Sequence, residues 1–136
     1  MGLRKKDLLR LFLAYTAIGW GVTIIGVFLP SSSVADVIQY IGGVDASEIM
    51  KIPMFDYWFR MAASVFGLIG IFYLILALNS EKYIAVMPLA AFFMLAECAV
   101  LFTAGIVLRL QPVPWLGDTL FCFLGGMGIL LTMKMK

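Results

Sequence analysis

The segment FFMLAECAVLFTAG, residues 92–105, is an apolar run with one carboxylate, Glu97, near its middle. An ionised carboxylate alone in hydrocarbon is strongly disfavoured, so such an acid is neutral, paired or hydrated. Each state carries its own chemistry. A neutral Glu97 donates a hydrogen bond to a neighbouring helix; a paired one meets Arg60 or a partner subunit; a hydrated one serves as a proton or substrate site in a small cavity. Arg60 is the other membrane-depth charge of interest, and Asp56 stands one helical turn before it as the nearest ion-pair partner, an interfacial pair at i, i+4 spacing. Glu97 precedes Leu108 by 11 residues, about 16 Å along a helix. Thr23 and Trp20 of the first apolar run reach a similar level. Arg60 lies only about 5 Å deep, and the offset of roughly 11 Å is at the limit of what extended Arg and Glu side chains close together. Glu97, Arg60, Thr23 and Trp20 therefore form the candidate intramembrane polar site.

Little else in the chain offers chemistry. There is no histidine, which excludes His-ligated haem, His zinc sites and His-based triads. Cys98 and Cys122 both fall inside apolar runs, far from a CxxC spacing, and read as packing rather than as a redox pair. No nucleophile–base pair or metal cluster is evident, so the expectation is a protein without catalytic residues, cofactor or metal.

The elements that position these residues follow from composition. The 136 residues are 63% hydrophobic and 13% charged, with mean hydropathy +1.05. A soluble domain has about 45–50% apolar and about 25% charged residues. Four apolar runs, residues 8–29, 57–78, 83–108 and 115–133, approach or exceed the roughly 20 residues that cross a hydrocarbon core as a helix. The first is longer than the roughly 7–15 residue core of a signal peptide, so it is expected to be a span despite the Ser33-Val34-Ala35 that follows. The third is long enough to tilt, or to bend near Pro88, unless Pro88 marks its first regular turn.

Residues 30–56 form the one sizeable loop. Val34, Val37, Ile38 and Ile41 recur at helical spacing, Ser33 and Asp36 fit a capping box, and Gly42-Gly43 ends the turn. A second short helix is expected from Asp45, stopping before Pro53. These read as interfacial helices over the bundle, with Tyr40, Tyr57, Trp58 and Trp115 as an aromatic belt. Arg60, Ala63, Ser64, Gly67 and Ile71 share one face of the second span, Ala17-x-x-x-Gly21 and Gly128-x-x-x-Thr132 mark the first and fourth, and small residues let backbones approach. Gly125-Gly126 thins the fourth span, leaving room for a helix, a lipid or a ligand.

Seven basic residues (Arg4, Lys5, Lys6, Arg10, Lys82, Lys134, Lys136) lie on the side of the termini and three (Lys51, Arg60, Arg109) on the other. Both termini are therefore expected in the cytoplasm. The net charge of +2, spread over segment ends, gives no nucleic-acid patch.

With its first helix ending at VFLP, an arginine opening the glycine-rich FRMAASVFGLIG, and LRLQPVP after the third helix, the chain resembles small bacterial four-helix inner-membrane proteins of unassigned function. In that group an acid tends to lie in the fourth helix, whereas here it is read as Glu97 in the third. The expectation is a single all-α membrane domain, residues 1–136, built as a four-helix bundle with an interfacial helical loop. Two functions are in view. One is a non-enzymatic accessory or structural subunit that associates with itself or with a larger membrane complex, in contact with membrane lipids. The other is a small proton-linked transporter or lipophilic-ligand (lipid or quinone) binding protein using Glu97.

Overall fold

The four apolar runs form four long helices in a computed structural model that describes residues 4–110 and 112–135. Helix α1 (Lys5–Gly21) tightens into a 3-10 stretch, Val22–Val27, and stops before Pro30. Two short helices follow, α2 (Ser31–Gly42) and α3 (Ser47–Met50), then α4 (Pro53–Leu78), α5 (Met87–Val107) and α6 (Pro112–Lys134). There is no strand among the described residues. The stretches Lys5–Val27, Pro53–Leu78, Ile84–Val107 and Trp115–Lys134 are each long and apolar enough to cross a bilayer, with mean hydropathies of 1.6 to 2.4. The protein is a multi-pass, all-α membrane protein.

Prolines set the boundaries. Pro53 and Pro88 each occupy the first turn of a helix, where a missing N–H is harmless. Pro88 therefore starts α5 rather than bending it. Val113 has extended backbone (φ −97°, ψ 126°) because it precedes Pro114, so the regular part of α6 begins near Trp115. Gly43 takes the left-handed conformation (φ 65°) that closes α2, and its N–H bonds to the Gln39 carbonyl. The capping box expected at Ser33 is absent, since α2 starts two residues earlier, directly after Pro30. Asp45 accepts the Ser47 N–H at 2.9 Å and so opens α3.

The long helices pack in the order α4, α1, α6, α5. The seam between α1 and α4 is a backbone contact: a side chain on Gly70 would collide with the Gly21 backbone and the Ala17 carbonyl. The buried face of α4 is Ala63, Gly67 and Gly70, while Ile71 is exposed, one position away from the face expected for it. Gly125 and Gly126 admit Met94, Leu95 and Thr16, so the room they leave is filled by α5 and α1. Leu13, Met87, Ala91, Met94, Cys122 and Ile129 are sealed in the core between these elements.

Both described ends of the chain meet the α4–α5 connection at one end of the bundle. Lys5 Nζ donates to the Met133 and Met135 carbonyls, Lys6 pairs with Glu81, and Arg10 reaches Ser80. The α2–α3 segment occupies the other end, with Val34, Ala35, Ala46 and Met50 forming a small core of their own.

Candidate functional site

A bundle of four helices ordinarily closes on itself, but α4 and α5 do not pack side by side along their length. The small-residue face of α4 is committed to α1. That of α5, with Ala90, Ala91 and Gly105 buried, is committed to α6. What remains on the facing flanks is bulky, Phe66 and Phe72 on α4 and Phe93 on α5, and these rings hold the helices apart. The result is a cleft of about 630 Å³ lined by α4, α5 and Trp20 of α1. That volume falls in the range of about 300–1,000 Å³ typical of small-molecule sites.

The cleft has a closed end, a floor and an open mouth. Tyr73 Oη donates to the Ala90 carbonyl at 2.7 Å and ties α4 to α5 toward the end that holds the chain termini. Trp20 forms the floor; its Nε1–H points to Met94 Sδ at 3.2 Å, and its ring packs on Phe66 at 4.9 Å and on Phe121 at 5.8 Å. Val65, Leu68, Phe93 and Val100, all exposed, form a mouth that opens sideways on the surface facing hydrocarbon. Glu97, half-buried, is the one carboxylate in the lining, and no cationic side chain lines the cleft. Among the described residues no cation lies within ion-pair distance of Glu97, and its carboxylate takes part in no side-chain hydrogen bond.

Behind Glu97 stands a column on α6. The antiparallel register of α5 and α6, fixed where Gly126 meets Leu95 and Gly105 meets Trp115, sets Glu97 level with Cys122. Cys122 is fully buried and lies within electrostatic reach of Glu97, Cys98 and Asp118. Asp118 is one turn from Cys122 toward Trp115, at the same i, i+4 spacing as Asp56 and Arg60. Reading Glu97 as the sole acid at membrane depth therefore needs correction: α6 carries one as well. The signal was present in DTLFC, a carboxylate three residues inside the Trp115 boundary of an apolar run.

The four residues expected at one polar site are divided by the fold. Trp20 and Glu97 share the cleft. Thr23 lies behind it, its hydroxyl donating to the Trp20 carbonyl at 2.7 Å and the Ala63 carbonyl at 3.2 Å, which fixes the 3-10 stretch against α4. Arg60 is elsewhere. Its Nε donates to Asp56 Oδ2 at 3.0 Å, one terminal nitrogen to the Val27 carbonyl at 2.6 Å and the other to Ser31 Oγ at 3.4 Å. Ser31 Oγ in turn donates to Asp56 Oδ1 at 2.9 Å. An Arg60–Glu97 pair is not formed, because the carbonyl left free where α1 ends and the carboxylate one turn away already occupy the guanidinium.

Comparison of the chain with protein-family models, with curated proteins and with solved structures finds no match.

Proposed function

We propose that this protein binds a lipophilic small molecule, drawn sideways from the bilayer, in the cleft between α4 and α5, with Glu97 as its polar contact. The observation that carries this reading is an apolar, ligand-sized cleft that opens on the lipid-facing surface and holds a carboxyl group without a partner among the described residues. Mostly apolar walls with one convergent polar group are the usual make-up of a small-molecule site. The role is non-enzymatic. The protein belongs, on this reading, with the small four-helix proteins of the bacterial inner membrane that it resembles, with both termini in the cytoplasm. The seven-to-three distribution of basic residues supports that orientation. A cysteine placed at Ser47 is then labelled by an impermeant thiol reagent from outside intact cells, and one at Lys134 is not.

The alternative of an accessory subunit would seat a helix of a second copy, or of a larger complex, across the same gap. Purification in mild detergent followed by mass spectrometry separates the two. The expected result is a lipophile retained at about one per chain and lost in Val65→Phe, which narrows the mouth. A stoichiometric protein partner, or a lipophile content equal in Val65→Phe, overturns the reading.

A further inference from the structure

We infer that the cleft selects a lipophilic cation, a tertiary amine or quaternary onium carrying aromatic or acyl bulk; this rests on the cleft being the binding site. The polar atoms of the cleft decide the sign of the charge. Its two neutral donors are already in use, the Trp20 Nε1–H on Met94 and the Tyr73 hydroxyl on the Ala90 carbonyl. A ligand that offers only acceptors, such as a carbonyl, finds neither of them free and is left with one neutral hydrogen bond from a protonated Glu97. An anionic ligand meets no cation in the lining, and the nearest candidate by depth, Arg60, is held by Asp56, Val27 and Ser31. A cation that enters in exchange for the acid's proton, released to water, pairs with the Glu97 carboxylate in a charge-assisted contact and is surrounded by the rings of Trp20, Phe66, Phe72 and Phe93. Aromatic faces carry a negative quadrupole that attracts a desolvated onium group. No base on α6 offsets Glu97 at this depth. Between Pro112 and Met133 the only charged residue of α6 is Asp118, one turn from the Cys122 that backs Glu97. A cleft with one carboxylate and no base in its lining favours a hydrophobic cation over its anionic counterpart.

The test uses two probes of nearly equal shape and opposite charge, tetraphenylphosphonium and tetraphenylborate, with the full chain in detergent and equilibrium dialysis as the readout. The wild-type protein is expected to bind the phosphonium at one per chain and the borate at least about tenfold more weakly, the weight of one charge-assisted contact. Glu97→Gln, which keeps size and hydrogen bonding, should lose at least about tenfold of phosphonium affinity without weakening the borate. Glu97→Asp should recover part of that loss. Equal binding of both probes by the wild type, or no phosphonium binding at all, overturns cation selection whatever the variants do. If both probes bind equally and Val65→Phe weakens both, the cleft stands and only the charge assignment falls. If Val65→Phe changes neither, the cleft is not the site and both readings fall together.

Discussion

Arg60 and Glu97 are both ionisable side chains of long apolar helices, both half-buried, and they are treated in opposite ways. Each of the three guanidinium nitrogens of Arg60 donates: the Asp56 carboxylate, the Val27 carbonyl and the Ser31 hydroxyl close a network that joins the end of the 3-10 stretch, the start of α2 and the first turns of α4. Glu97 has no such shell. Its neighbours are apolar lining on one side and Cys122 on the other. A group that the fold satisfies completely contributes to the fold. A group left exposed to a cleft at membrane depth is costly unless something else meets it. The contrast separates a structural charge from a functional one more sharply than depth or residue type does.

Mutations break or sharpen this contrast. Arg60→Leu should have the largest effect on stability, lowering the melting temperature in detergent by several degrees, because the Val27 carbonyl and the Asp56 carboxylate both lose their partner. Glu97→Leu should leave the melting temperature near wild type and instead reduce retention of the bound lipophile. Comparable destabilisation by the two variants would erase the distinction. Asp56→Asn should destabilise less than Arg60→Leu, since the amide oxygen still accepts from Arg60 and the amide NH2 can donate to a turned Ser31 hydroxyl; a larger loss would mean that the charge, not the hydrogen bonds, holds the network. The smallest effect is expected at the opposite end of the bundle. The hydrogen bond from Lys6 holds the Glu81 carboxyl below its usual range. A carboxyl held low when folded binds fewer protons than in the unfolded chain. Its contribution is thus complete above the ordinary value of about 4.3 and fades as pH falls through the depressed one. Lys6→Gln should therefore lower the melting temperature slightly at neutral and alkaline pH and leave it unchanged once pH is below both values, which removes a small part of the acid sensitivity.

The spans and their ends were legible in the chain because lipid leaves helices as the only economical form for such runs, and because Pro30, Pro53, Pro88 and Pro114 punctuate them. The Asp56–Arg60 pair was legible from i, i+4 spacing alone. Packing order was not. A short connection normally makes consecutive helices neighbours, yet α4 and α5 stand apart because their small-residue faces, Gly67 and Gly70 on one and Ala90 and Ala91 on the other, belong to α1 and α6. Periodicity identifies such a face but not the helix it meets. The cleft is the space between two flanks that no sequence pattern pairs, so Glu97 was readable as an unusual residue and not as part of a lining with Trp20 and Phe66. Asp118 was passed over for a simpler reason. Near an aromatic boundary a carboxylate reads as a surface residue, and only the fold shows it one turn from the Cys122 that backs Glu97.

Trp20 gives the most direct test of the central claim, because its indole forms the floor of the cleft. In a Trp58→Phe, Trp115→Phe background Trp20 is the sole tryptophan, since the chain has three. Its emission can be followed while a brominated alkyl quencher is added to the reconstituted protein. A cleft that binds lipophiles predicts quenching that saturates at about one quencher per chain and is abolished by adding Val65→Phe. Quenching that rises linearly with quencher, the same with and without Val65→Phe, would mean that Trp20 senses only bulk lipid and that the cleft holds nothing.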